Sequence, residues 1–166
     1  MARKKKSSGP GRANGSGRNL AVNRRARYDY EIVDRLEAGL VLTGTEIKSI
    51  RGGSVSLREG YVQVSRGEAY LHGVHIGRYK PAAENNHDPL RPRKLLLHAA
   101  EITRLEQSIN AHRYTAVPLR MYLSNGRAKL EIGVGRGLKR FDKRERQAER
   151  DAQRQIERQL GRLRKE

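Results

Sequence analysis

The sequence has no cysteine and no tryptophan, and its one phenylalanine is Phe141. Without thiols there is no disulfide and no thiolate-held metal, and the chain suits a reducing, cytoplasmic setting. Apolar runs are short, and none approaches the roughly 20 residues of a membrane span. The N-terminus is charged but has no apolar signal core, so export is not expected. A basic helix made for a lipid surface needs bulky aromatics on its apolar face, and the basic ends supply only that Phe. Acid is scarce too: 18 Asp and Glu stand against 36 Lys and Arg, for a net charge of +18.

The excess is uneven. Residues 1–27 hold nine cations and no acid, and residues 136–166 hold twelve cations and six acids. The stretch between is nearly balanced, with fifteen and twelve. Two basic ends on a balanced body suggest a polyanion, usually nucleic acid, as partner. The expected division is a basic arm over 1–19, a folded body over 20–135 and a basic tail over 136–166. The arm is Lys, Arg, Gly, Ser and Pro, which cannot bury enough surface to order itself.

The body centres on Leu36 to Gly53. From Tyr28 to Leu42 the even positions are apolar except Asp34, which predicts a long strand with one core-facing side. Glu37 then points outward, and Gly39 suits a bulge or bend. Gly44 and Thr45 open a short helix. Ile47 and Ile50 share one face, Lys48 and Arg51 another, and Gly52 sits at the C-terminal cap. Upstream, Asn23-Arg24-Arg25-Ala26-Arg27-Tyr28 brings three guanidiniums and an aromatic directly to the first strand.

Tyr61–Ser65 and Ala69–Ile76 flank a turn at Arg66-Gly67-Glu68. A loop with three prolines follows over Pro81–Pro92, then Arg93-Lys94 and Leu95-Leu96-Leu97. Ala99–Ala111 reads as a helix, with Ile102, Leu105 and Ile109 on one face. Val117–Leu123 and Ala128–Val134 alternate around Asn125-Gly126, a hairpin. Pro118 suits an edge position. Five or six strands with two short helices predict a mainly β fold: a small closed barrel of the oligonucleotide/oligosaccharide-binding (OB) type, with basic tails disordered when free. A two-layer α+β sheet is the alternative.

No catalytic pattern stands out. Gly133-Val134-Gly135-Arg136-Gly137 lacks the frame of a dinucleotide fingerprint and reads as release of the chain into the tail. His72 and His75 would face opposite sides of one strand, so they cannot share a metal. No nucleophile, base and orienting group come together. Neither an enzyme, a metal nor a cofactor is expected.

In the tail, Arg146, Arg150, Arg154, Arg158 and Arg162 recur every four residues. As a helix they form one basic ridge, each like-charge pair costing about 0.2–0.5 kcal/mol. A free helix should therefore fray, and phosphates should order it. Phe141 lies among Lys139, Arg140, Lys143 and Arg144, the composition of a base-stacking site.

Taken together, several segments resemble the SmpB family, small proteins that bind transfer-messenger RNA (tmRNA, SsrA RNA) in bacterial ribosome rescue. They are Asn23 to Arg27, Glu37 to Leu40, Glu46 to Arg51, Arg93 to Leu97, Ile132 to Val134 and Asp142 to Arg144. The resemblance covers nearly the whole body and the start of the tail. It implies an OB-like barrel that binds the tRNA-like domain of tmRNA. It implies delivery of that RNA to stalled ribosomes, with the tail helical in the empty mRNA channel against small-subunit rRNA. Elongation factor Tu and alanyl-tRNA synthetase act on the same RNA. RNA binding passes to Asn23, Arg24, Arg27, Glu37 and Lys48, with Tyr28, Arg51, Arg93 and Lys94 beside them. Ribosome binding passes to Lys139, Arg140, Phe141, Lys143, Arg144, Arg146, Arg150, Arg154 and Arg158. Tyr28 and Phe141 stand where some relatives have His, which favours stacking over proton transfer. A monomer is expected. The competing classes are an rRNA-binding translation or ribosome-assembly factor with a similar barrel, and an RNA-processing enzyme.

Overall fold

The computed structural model describes residues 17–163. The elements run β1 (Asn19–Val22), α1 (Arg24–Asp29), β2 (Tyr30–Leu40), α2 (Gly44–Arg51), β3 (Val55–Ser56), β4 (Tyr61–Ser65), β5 (Glu68–His72) and β6 (His75–Ile76). A 3-10 turn (Lys80–Ala82), β7 (Arg93–Leu96), α3 (Ala99–His112), β8 (Thr115–Ser124), β9 (Arg127–Gly137) and α4 (Arg140–Leu163) follow. The protein is mainly β, as expected. Four α-helices are described where two were expected; β1 and β3 join the foreseen strands, and the strand expected over Ala69–Ile76 divides into β5 and β6. Most of the expected arm, residues 1–16, lies outside the described residues, and its end, Asn19, already belongs to β1.

All pairings are antiparallel. Followed strand by strand they run β8, β4, β5, β7, β2, β9 and return to β8, with β1 added on the far side of β8. β3 and β6 pair separately. Both hairpin turns form as their residues demand. Arg66-Gly67 and Asn125-Gly126 each take positive φ at both central positions, matching the strand twist.

Two irregularities divide the apolar residues between two clusters. β2 shifts register between Ile32 and Asp34, where the alternation breaks in the sequence. The extra residue, Val33, is exposed. Beyond the bulge, Leu36 and Ala38 enter the main core; before it, Tyr30 and Ile32 pack under α1 with Ala26, Val117 and Leu119. One added residue reverses the facing of all that follow. β8 makes the matching shift between Pro118 and Arg120. Pro118 is therefore buried at a bulge of a strand paired on several sides, and not at an edge. A bulge tolerates the missing N–H.

The glycines expected to release the chain are instead within β9. A Cβ on Gly135 would lie 1.9 Å from the Glu31 carbonyl oxygen, and one on Gly133 would lie 2.9 Å from the Leu119 side chain. They permit close strand packing at the bulges. The tail helix begins only at Arg140.

Candidate nucleic-acid interface

β2 has 11 residues and spans about 33 Å at its usual rise. Its two ends carry different chemistry. At the Tyr30 end, Asn23 caps α1: its Oδ1 accepts from the Ala26 amide at 3.1 Å, while its Nδ2 donates to the carbonyls of Leu57 and Pro118. The cap holds Arg24, Arg25, Arg27 and Tyr28 outward on six helical residues. Arg25 is engaged by Asp29 at 3.0 Å and reaches Glu59 at 3.5 Å. Arg24 and Arg27 have no ion-pair partner among the described residues, leaving two cations available to phosphate. Tyr28 is 44 % exposed, with the Lys143 ammonium 5.5 Å from its ring centroid.

At the Leu40 end lies a groove of about 900 Å³ with Leu40, Leu96 and Ile102 in its walls and Glu37, Lys94 and Lys129 among its polar groups. Glu37 is half-exposed, as its phase predicts. It accepts a hydrogen bond from the buried Tyr122 hydroxyl, and Lys129 stands 3.7 Å away. Burial, then this bond to Glu37, pushes the Tyr122 phenol well above its ordinary pKa. Lys48 and Arg51, the cations of α2, turn elsewhere: Lys48 to the Tyr79 ring, Arg51 to the Gly126 carbonyl. Lys94 pairs with Glu68 at 2.5 Å but keeps 42 % of its side chain exposed. Lys129 was missed by the sequence reading. Its outward phase between Ala128 and Leu130 was the signal.

Two of the expected contact residues lie inside the body. Arg93 has no exposed surface. Its Nε donates to Glu46 Oε1 at 2.8 Å, and its terminal nitrogens donate to the Val74 and Pro89 carbonyls. Asn23 is buried, with its amide fully committed to the chain. With little or no free surface in this structure, both side chains serve the scaffold here. The sequence hid this because a buried arginine is rare unless an acid meets it. That acid is Glu46, on α2.

Glu46 completes a capping box with Thr43, accepting from the Thr43 amide at 2.8 Å. Arg91 grips it with two nitrogens at 2.8 and 2.6 Å. Burial alone would raise its pKa, but the hydrogen bonds from Arg91, the Thr43 amide and Arg93 outweigh it and hold the carboxyl at about 2. The proline-rich loop is fastened to α2 here and by His87, whose ring bridges Thr45 Oγ1 at 2.8 Å and the Ile76 carbonyl at 2.9 Å. It is structural.

α4 is 24 residues long and has no buried side chain. Phe141 is 69 % exposed. Among the described residues Lys139, Arg140, Arg144, Arg150 and Arg158 have no ion-pair partner, and Arg154 meets only Asp151 on its own helix. Arg146 departs from the outward ridge predicted for it, and Lys143 from the cluster predicted around Phe141. They turn back onto Asp29 and Glu31 of the body. The structure describes this segment as a helix, for which like-charge repulsion predicts fraying in the free chain; the contacts at its first two turns offset part of that repulsion.

The described residues gather no cluster of His, Cys, Asp and Glu able to hold a metal, and no helix among them is long and apolar enough to cross a membrane. What they present is a β protein with exposed cations concentrated at the α1–α4 end and a mixed groove at the other: the layout of a polyanion-binding surface.

A family model described as SmpB protein matches residues 20–162, and the chain belongs to that family. The SsrA-binding protein of Roseiflexus castenholzii is 56% identical over 135 residues, 81% of this chain and 85% of that one. That of Geobacillus thermodenitrificans is 52% identical over 131 residues, covering 79% and 84%. That of Staphylococcus carnosus is 51% identical over 145 residues, covering 87% and 88%. A solved chain described as "tmRNA-SmpB: a journey to the center of the bacterial ribosome" superposes with a TM-score of 0.62 at 42% identity, over 75% of this chain and 92% of that one.

Proposed function

We propose that the protein binds the tRNA-like domain of tmRNA and delivers it to ribosomes stalled on a message without a stop codon. The observation that carries this reading is family membership across residues 20–162, joined to the cations left unpaired on α1 and α4. The body, 20–135 with the last residues of β9, acts as an OB-like closed barrel. The strand pairings that return to β8 support closure. Arg24 and Arg27 supply phosphate contacts. Glu37, with Lys129 and Lys94 beside it, offers an acceptor to a guanine edge or a ribose hydroxyl. Lys48, Arg51 and Tyr28 stand at the margins of these two surfaces.

The tail, 136–166, occupies the empty mRNA channel as a helix. Arg140, Arg144, Arg150, Arg154 and Arg158 face rRNA phosphates there, and Phe141 stacks on a base. The arm, 1–19, adds phosphate contacts. The protein acts as a cytoplasmic, monomeric binding protein and not as an enzyme. Alanyl-tRNA synthetase and elongation factor Tu meet it through the RNA they share.

Sequencing of RNA captured on the immobilised chain tests this reading. Enrichment of tmRNA over rRNA at matched salt is expected. Capture of rRNA without tmRNA would instead identify an rRNA-binding translation or assembly factor.

A further inference from the structure

A cleft of about 460 Å³ lies between β1 and β3, beside α1. The two strands are near neighbours without a ladder between them: β1 pairs with β8, and β3 with β6. Val22 and Val55 line the cleft, and Val22 is 45% exposed although it belongs to a strand. Arg24, Arg25 and Arg58 line it too, with the exposed Ser56. No carboxylate is among its lining residues.

The nearby acids stand on the other side of the arginines. Asp29 and Glu59 border the adjoining depression, which shares Arg25 and Arg58 with the cleft. Asp29 holds Arg25 at 3.0 Å, and Glu59 reaches Arg25 at 3.5 Å. Arg58 meets only its chain neighbour Glu59, at a long 3.9 Å, with side chains 69% and 76% exposed. So solvated a pair holds an arginine weakly. Arg24 has no ion-pair partner among the described residues. Two poorly answered guanidiniums, from α1 and from the β3–β4 connection, thus border one cleft. Asn23 fixes their spacing. This buried side chain caps α1 just before Arg24 and donates to the carbonyl of Leu57, just before Arg58, at 3.1 Å.

We propose that the cleft binds the phosphodiester backbone of an unpaired RNA strand, with Arg24 and Arg58 on its phosphates and Val22 and Val55 against a sugar or base. This inference rests on the RNA-binding function proposed above and extends the α1 surface onto the β3–β4 connection. A bound peptide would add a strand to an open edge, but β1 has four residues and β3 two, too few for a lasting ladder. A small free anion would need enclosure that these exposed guanidiniums do not give. An RNA strand needs neither, because it brings successive phosphates to the cations and apolar faces to the valines. The strand can come from tmRNA or from rRNA, and the chemistry is the same.

The chain has no cysteine, so Ser56→Cys gives a unique thiol in the cleft, and an iron–EDTA tether on it cuts RNA close by. Scission is mapped in the full chain bound to the tRNA-like domain, and in the full chain bound with tmRNA to stalled ribosomes. A short run of cuts is expected, and the RNA that carries it identifies the source of the strand. The same tether in Arg58→Ala should cut there less.

Affinity for the cut RNA is then followed against salt. Arg58→Ala should shallow the slope of log K against log salt by roughly 0.7–0.9, the share of one phosphate. At about 0.15 M salt this amounts to a roughly fourfold to sixfold loss of affinity. Arg58→Lys keeps the charge without the planar fork and should fall between. Arg58 is exposed, so the thermal melt should not move. Adding Glu59→Gln to Arg58→Ala restores the parent's net charge. A phosphate contact leaves the slope shallow in that double variant. Return of the parent's slope and affinity would reduce Arg58 to a partner of Glu59 and overturn the proposal. Absence of scission from Ser56→Cys overturns it as well, as does scission that Arg58→Ala leaves unchanged. Failure of the parent to bind tmRNA strikes the wider reading of function, and the cleft is then judged by the same measurements on rRNA.

Discussion

Arginines on the strands and loops of the body and most arginines of α4 have opposite fates. In the body, Arg93 and Arg91 converge on Glu46, Arg35 and Arg120 on Glu131, and Arg104 on Asp34. In α4, Arg140, Arg144, Arg150 and Arg158 face solvent with no ion-pair partner among the described residues. The same side chain is a framework group in one place and an open phosphate ligand in the other. Charge counted along a sequence therefore does not locate an interface. Charge that remains unanswered after folding does.

Removal of Glu46 should break the framework side of this comparison most severely. Glu46→Ala leaves Arg93 buried and uncompensated, a loss of about 3–5 kcal/mol. Urea unfolding measures it. A loss under about 1 kcal/mol would mean that the cluster is solvated and the contrast with α4 overstated.

Acid probes the same cluster without mutation. The folded pKa of Glu46, about 2, lies below its ordinary 4.5. Its contribution is thus complete above pH 4.5 and fades as pH falls from there toward 2. A shift of this size corresponds to an order of 3 kcal/mol. Unfolding free energies between pH 6 and 3 should decline more steeply in the parent than in Glu46→Gln.

Glu37 lies between the two fates, because it is anchored yet half-exposed. Glu37→Ala should weaken tmRNA binding by about 1–2 kcal/mol, with Glu37→Gln partly retained. It should also lower stability by about 1–2 kcal/mol, since it strands the buried Tyr122 hydroxyl. Tyr122→Phe separates the terms: stability changes little and binding persists. Parent-like affinity in Glu37→Ala would remove Glu37 from the interface.

The smallest effect concerns α1. Arg24 and Arg27 have no ion-pair partner among the described residues, and Arg25 is held by Asp29. Replacing Arg24 and Arg27 by Ala should shallow the slope of log K against log salt by roughly 0.7–0.9 for each lost phosphate contact. Arg25→Ala should change it less.

The regular parts of the fold were legible in the chain. Period-two runs gave β2, β4, β8 and β9, and Arg66-Gly67 and Asn125-Gly126 gave their turns, because those signals are local. The bulges were half-visible. Asp34 marked one as a break in the pattern, but Pro118 was misplaced because its neighbours are set by tertiary pairing. Arg93 looked like any exposed cation until Glu46, 47 residues away, was brought to it. The α4 contacts were hidden for the same reason: Lys143 and Asp29 are 114 residues apart. Spacing reports faces of one element, not meetings between distant ones.

In the function proposed above, body and tail divide the work, RNA recognition in one and ribosome engagement in the other. Truncation after Leu138 tests it most directly, because it keeps all of β9 and the amide that bonds to Asp29 while removing α4. Binding of the tRNA-like domain and peptide tagging on stalled ribosomes are measured side by side on this protein. A folded body that still binds the RNA and supports no tagging is expected. Loss of RNA binding with the body still folded, or tagging at the parent level, would contradict it.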